Sequence, residues 1–325
     1  MKPKVVAICA DIEWTKKPFE KEKHYPAKVI RDTYMDLFLK AESENLKFIE
    51  TNFDWYDKDK NMFRKGWIFD GVLGWKQIFD FRADFIFDKS PLTKKYESYK
   101  KYFTRKHMIL NPHYVEELCS DKMTTYNMFK VFVPLSIRVN NKKELLKKLK
   151  RVRTEKIVLK PEFGSSAEGV RILDKSRVIK NPPKVKKNTV LQEFIECKKT
   201  NRFRFHYGVY DLRVVLSQGK VLDSFFRVSK KGVLTSNIST GGKVIFIHKD
   251  KIPKGVLKDI KIVEGKLKHY NPRLYTMDFV IDKNNKVWLI EMNSKPGFFF
   301  YSEYAEHKRQ DKFEDALIKA VKGSV

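Results

Sequence analysis

Three oxygen-bearing side chains near the C-terminus, Asp278, Glu291 and Asn293, have a spacing that two strands and one tight turn can bring together. They lie in YTMDFVIDKNNKVWLIEMNSKPGF, residues 275–298. The segment has the pattern of two apolar strands joined by the polar turn DKNNK. Hard oxygen donors on adjacent strands suit Mg²⁺, which prefers octahedral oxygen ligation and shares its shell with substrate phosphates. An ordinary hairpin with solvent-facing polar residues accounts for Asp282 and Asn284 in the turn. It accounts less well for Glu291, which directly follows the apolar WLI.

Upstream, Lys160 closes the apolar run KIVLK. A small-residue loop, Gly164 to Gly169, joins it to the next strand, VRIL. Such a loop can offer backbone N–H groups to phosphates while a lysine neutralises charge, although a hairpin with a flexible tip has the same pattern. TVLQEFIE has strand character. In RFRFHY, Arg202, Arg204 and His206 alternate with aromatics, so a strand would put the basic groups on one face. That face suits a nucleic-acid backbone, an acidic substrate or a nucleotide. LRVVLSQGKVLDSFFRVS is a hairpin around Gln218-Gly219, and TSNISTGG, residues 235–242, is a polar loop.

These residues need a scaffold. Residues 1–110 have an α/β pattern: KVVAICA as a first strand, a helix over AKVIRDTYMDLFLKAESEN, then further apolar runs ending at Asp88 and Lys89. Ser120 or Asp121 can cap a helix running through Met128. NNKKELLKKLKRVR has leucines on one helical face and lysines around the rest, as a surface helix would. Apolar residues make up 42% and aromatics 14%, a globular composition. No run approaches the roughly 18 apolar residues of a membrane span. The N-terminus fits a buried strand better than a signal peptide. Cys9, Cys119 and Cys197 form neither a disulfide framework nor a zinc spacing, so a reducing cytoplasm is expected. Lys and Arg total 68 against 40 Asp and Glu, a net charge of +28. That surplus fits polyanionic partners, or a lysine-rich surface without a special role.

The ordered motifs SDKMTTYNMF, VLKPEFGSSAEGV, VLQEFI, YDLRVVLSQGKV, FFRVSKKGVLTSNISTGGK, MDFVID and LIEMNSKPGF resemble the ATP-grasp superfamily. The nearest branches are the RimK-like carboxylate–amine ligases and the YheC/YheD spore-coat-associated group. The resemblance spans about residues 111 to 300. It implies an ATP-grasp fold, two α+β subdomains gripping ATP, after an N-terminal α/β domain. The divisions would be 1–110, 111–190 with the phosphate-covering loop, and 191–325 with the metal site.

The resemblance also implies roles. Lys122 and Lys160 contact phosphates, and Gly164, Ser165 and Ser166 cover them. Gln192, Glu193, Phe194 and Ile195 hold adenine, with backbone groups of Glu193 and Ile195 at its edge. Asp211 and Arg213 lie near ribose and phosphates, Asp211 as the ribose candidate. Arg227 and Asn237 face the transferred phosphate and the acceptor carboxylate. Asp278, Glu291 and Asn293 ligate two Mg²⁺ ions, with Mn²⁺ as an alternative. The chain departs from the family pattern at Ala167, where Gly is common, and in an insertion-like stretch from Cys197 to Tyr210.

The implied reaction is ADP-forming amide synthesis through an acylphosphate. It needs a carboxylate acceptor, such as an acidic peptide, and an amine donor. No nucleophilic side chain is required, which agrees with the scattered histidines. The alternative is a nucleotide- or polyanion-binding protein of the same fold without turnover, associated with a coat or, less favoured, with nucleic acid. Oligomeric state is left open.

Overall fold

The computed structural model describes residues 2–10, 27–72, 74–90, 93–164, 168–198, 209–230, 232–234, 236, 243–297 and 304–323. The chain forms two compact units. One comprises residues 1–114, 269–274 and 295–325, and the other 115–268 and 275–294. This grouping differs from the three-part division of the sequence, because the C-terminal helix joins the N-terminal residues.

The first unit is an α/β layer. β1 (Lys4–Cys9) is parallel to β2 (Leu46–Thr51), with α1 (Ala27–Ser43) between them in sequence. β3 (Tyr56–Asp57), β4 (Met62–Asp70), β5 (Gly74–Phe81) and β6 (Phe85–Asp88) complete a sheet ordered β3-β4-β2-β1-β6, with β5 on β4. α2 (Lys94–Arg105) follows. Phe53, Phe63, Ile86 and Phe103 fill the core on one face. Gly66 is where β4 passes close to β2: an added Cβ would lie 2.6 Å from Ile49 Cγ2. The strand-end pair Asp88–Lys89 is structural in part. Asp88 pairs with buried Lys100 at 2.9 Å and with Lys295 at 3.1 Å. Of the C-terminal helix α8 (Tyr304–Lys322), Phe313 and Leu317 are buried.

The second unit holds two antiparallel sheets. α3 (His113–Ser120) leads to α4 (Lys122–Met128), which Asp121 caps by accepting from the Met123 and Thr124 N–H groups. β7 (Ser136–Val139), β8 (Lys156–Pro161), β9 (Arg171–Asp174) and β10 (Thr189–Glu193) form a sheet ordered β7-β10-β8-β9. α5 (Lys142–Leu149) and α6 (Lys175–Lys180) cover one face. Period-two alternation sorts the strands: Ile157, Leu159, Leu173 and Leu191 pack under the helices. Val158, Lys160, Ile172 and Gln192 point the other way.

The second sheet is ordered β13-β12-β11-β14-β15. Its strands are β11 (Tyr210–Ser217), β12 (Lys220–Val228), β13 (Lys243–Phe246), β14 (Leu274–Ile281) and β15 (Val287–Asn293), with α7 (Lys254–Leu267) between β13 and β14. Gln218 and Gly219, both at positive φ, make the β11–β12 turn. Each of two hairpins carries a one-residue bulge. On β12, Leu222 is extra between the pairs Leu216–Val221 and Val215–Asp223. On β15, Ile290 is extra between Phe279–Leu289 and Asp278–Glu291.

Among the described residues no helix is long and apolar enough to cross a membrane. All three cysteines are free thiols. The basic–aromatic stretch containing Arg202, Arg204 and His206 lies outside the described residues.

Candidate nucleotide and metal site

A cleft enclosing about 950 Å³ of free space, partly open to solvent, lies between the two sheets of the second unit. Lys160 and Val158 enter it from β8, Gln192 and Glu193 from β10, and Lys122 from α4. Asp211, Arg227, Asp278 and Glu291 come from the facing sheet. The cleft therefore unites Lys122, Lys160, Gly164, Gln192, Glu193, Phe194, Ile195, Asp211, Arg227, Asp278 and Glu291 of the residues expected from the sequence. Ser165, Ser166 and Asn237 lie outside the described residues.

The two lysines sit in different surroundings. Lys160 is 5% exposed, and its ammonium lies 3.4 Å from the Ile290 carbonyl, the oxygen of the bulge residue. Burial pulls its pKa down to about 8; Glu291 and Asp278 pull it up, and Lys122 pushes it further down. Lys122 donates to the Gly164 carbonyl at 2.8 Å and lies 3.8 Å from Glu291. Burial lowers its pKa too, against the attraction of Glu291 and Asp121. Gly164 has φ +118° and an added Cβ would meet open space, so backbone conformation and not crowding calls for glycine there.

On the facing sheet the acids are tied to arginines. Arg213 forks onto Asp278, Nε to Oδ1 and Nη2 to Oδ2, both at 2.7 Å. Arg227 forks onto Asp211 at 2.7 and 2.9 Å and also reaches Asp278 Oδ2 at 2.7 Å. Asp211 additionally accepts from the Ser236 hydroxyl. Burial pushes the Asp278 carboxyl up, but the two guanidiniums outweigh it and hold it below the usual range. For Asp211 burial wins over Arg227, with the Asp278 charge adding, and its pKa is raised.

Asp211 points both oxygens at Arg227 and Ser236. Arg213 is outside the cleft lining and bonds Asp278, which is in it. Ser236, part of the loop TSNISTGG, was missed because one serine among several small polar residues carries no distinguishing signal.

The hairpin β14–β15 puts Asp278 opposite Glu291 and Thr276 opposite Asn293. By strand alternation the four share one face. Asn293 lies one step beyond the cleft lining. Among the described residues no three His, Cys, Asp or Glu side chains form a ready-made metal cage. Two carboxylates and an amide oxygen suit Mg²⁺, which usually takes one or two carboxylates plus phosphate oxygens. Asp278 already accepts three N–H bonds, leaving about one of its four lone-pair positions. Glu291, with 30% side-chain exposure, is the more open donor.

On β10, Gln192 donates to Ser136 Oγ at 2.8 Å, and Glu193 Oε1 accepts from the Arg153 N–H at 2.9 Å. The Glu193 N–H is spent on the Leu135 carbonyl at 3.0 Å.

Comparison with known proteins places this geometry. The structure is similar to D-alanyl-alanine synthetase A from Vibrio cholerae O1 biovar eltor str. N16961, with a TM-score of 0.65 and 11% identity over 100% of this chain and 99% of that one. It is similar to a RimK domain protein ATP-grasp from Sphaerobacter thermophilus DSM 20745, with a TM-score of 0.59 and 9% identity over 98% and 100%. It is also similar to the VanG D-Ala:D-Ser ligase from Enterococcus faecalis, with a TM-score of 0.60 and 13% identity over 100% of both chains. At these identities the likeness is one of fold. No curated protein matches the chain. The YheC/D-like ATP-grasp family model matches residues 111–322. With most of its length under that match and the cleft between two antiparallel sheets, the chain belongs to the YheC/D-like ATP-grasp family.

Proposed function

We propose that this protein is an ATP-dependent carboxylate–amine ligase that works through an acylphosphate. The observation that carries the reading is the charge layout of the cleft: a buried ammonium, Lys160, and a half-buried one, Lys122, beside Glu291, on walls that also hold Arg227 and Asp278. Phosphoryl transfer to an anion requires fixed positive charge and cation-binding oxygens side by side.

Val158, Ile172 and Phe194 give the cleft an apolar part that suits an adenine ring. The carbonyl of Glu193 and the N–H of Ile195 would read its edge. Lys122 and Lys160 would hold the phosphates under the loop that starts at Gly164. Glu291 and Asn293, with the lone pair left on Asp278, would hold Mg²⁺ or Mn²⁺, up to two ions. Ions held there would supply positive charge against the phosphates. Arg227, held in place by Asp211, would face the phosphoryl group in flight, together with Asn237. The acceptor carboxylate oxygen bonds to the γ-phosphorus as ADP leaves. The amine then bonds to the acyl carbon as phosphate leaves, and gives up a proton. The closed loop would keep water from the acylphosphate.

A nucleotide- or polyanion-binding protein without turnover is the second reading, favoured by the net charge of +28. ADP formation separates the two. A ligase yields ADP and phosphate only when carboxylate and amine are both present, and a library screen followed by mass spectrometry names the product. Nucleotide binding without ADP formation for any acceptor–amine pair would leave the second reading standing.

A further inference from the structure

Behind the four-stranded sheet lies a layer of positive charge that the cleft chemistry does not use. Leaving out Lys160, which points into the cleft, residues 142–187 hold fifteen Lys and Arg against five Asp and Glu, a surplus of ten out of the net +28. α5 and α6 pack through Leu145, Leu149 and Val178 on the sheet face opposite to the cleft. Their outer sides, with the loop that follows α6, expose Lys142, Lys143, Lys147, Lys180, Lys184 and Lys187.

Three of the five carboxylates in this stretch already hold a basic partner. Glu144 pairs with Lys148 at 2.6 Å and Asp174 with Lys156 at 2.6 Å, while buried Glu162 takes Arg138. None of the six exposed lysines forms an ion pair among the described residues. A dense field of unpaired like charge repels itself and concentrates polyanions.

The chemistry of the layer selects among polyanions. α5, α6 and residues 181–188 contain no aromatic side chain, so nucleic-acid bases have no stacking platform. Lysines outnumber arginines, whereas paired phosphate oxygens are best met by the guanidinium fork. Ile179, 58% exposed, is the one large apolar side chain open on the layer among the described residues, too little for a membrane surface. Carboxylates along a flexible chain are the remaining match.

We infer that this layer is a docking surface for an acidic polypeptide. The inference rests on the ligase reading for its consequence: the docked chain is the carboxylate acceptor. Because the layer and the cleft lie on opposite faces of one sheet, only a polymer can use both. A layer of about 10 Å and roughly 3.3 Å per extended residue put the minimum at about three residues for the crossing alone.

The test uses the full chain without nucleotide and a labelled poly-L-glutamate of about thirty residues, well above that minimum. Fluorescence anisotropy should show binding that weakens with salt. Two independent variants, K142Q/K143Q/K147Q and K180Q/K184Q/K187Q, should each bind about tenfold more weakly, with circular dichroism unchanged. Wild-type binding by both variants overturns the proposal. So does tighter binding, at equal salt, of single-stranded RNA, duplex DNA or phosphatidylserine vesicles. Docked polyglutamate that yields no ADP with any amine sinks the ligase reading and leaves the docking surface. ADP formation from short acceptors, with polyglutamate unbound, sinks the docking surface alone.

Discussion

Arg227 and Asp278 meet at 2.7 Å in the cleft, and Arg227 simultaneously forks onto Asp211. One buried cation thus lies between two buried carboxylates, and Arg213 balances the second charge.

Removing that cation should be costly. Arg227→Met leaves Asp211 and Asp278 facing each other without their shared partner. Breaking one side of a buried charge pair costs about 3–5 kcal/mol. Urea unfolding at pH 7 should show a loss of that order. The variant should recover part of it at pH 5, because Asp211, already raised by burial, can take a proton. An equal deficit at both pH values would contradict the arrangement.

Lys160 links nucleotide binding to protons. Burial lowers its pKa to about 8, so the free cleft loses this charge as pH rises through that value. A bound phosphate favours the ammonium, so binding near pH 8 to 9 takes up a proton and affinity falls as pH rises. Titration calorimetry in buffers of different ionisation heat should detect uptake at pH 8.5 and little at pH 6.5. Lys160→Arg should abolish it.

The lysine and the acid should fail differently. Lys160→Ala removes one charged hydrogen bond to phosphate and should weaken nucleotide binding by about 1.5–3 kcal/mol. Glu291→Gln keeps shape and removes cation-binding charge, so turnover should collapse more than binding. Equal, small effects of both on both quantities would count against the site.

Glu314 on α8 offers a stability test in the first unit. Burial, against Gln310 and Lys40, raises its pKa from 4.5 to about 7. The unfolded chain releases this proton near 4.5, while the folded chain keeps it to about 7. Folding therefore binds a proton between those values, and this group's contribution is lost as pH rises from 4.5 to 7. Glu314→Gln should be about 1–3 kcal/mol more stable than wild type at pH 8, with little difference at pH 4.5. Thermal or urea unfolding at both pH values decides.

Gly66→Ala tests close packing in the same unit. The new Cβ would fall 2.6 Å from Ile49 Cγ2 and 2.9 Å from the Glu50 carbonyl. Overpacking of this kind costs about 1–3 kcal/mol. Unchanged unfolding would show that β2 and β4 can part locally.

Much of this was legible in the sequence. DKNNK works as a turn because Asp282 accepts from the Asn284 and Lys286 N–H groups and from the Trp288 indole. Asp121 caps its helix as its type and position suggest. The expected ATP-grasp fold and family are found. The pairing of Asp211 with Arg227 was not legible. Counting back from the Gln218-Gly219 turn puts Phe226 opposite it, and Arg227 on the other face. The bulge at Leu222 shifts the count by one and brings Arg227 across. Motif resemblance says nothing of such long-range pairing, nor of the buried ion network that follows from it.

The two bulges have an evolutionary consequence. Each bulge residue is the surplus one in its ladder. Without Leu222 the pairs from Ser217–Lys220 to Asp211–Arg227 would run without a break, and without Ile290 so would Phe279–Leu289 and Asp278–Glu291. A one-codon deletion at either bulge would therefore leave Arg227 opposite Asp211, or Glu291 opposite Asp278, and the two losses would differ in kind. Loss of Leu222 would only straighten the ladder, whereas loss of Ile290 would also take away the carbonyl that Lys160 reaches. Strand length at β12 is thus free to vary by one residue where the strand length at β15 is not.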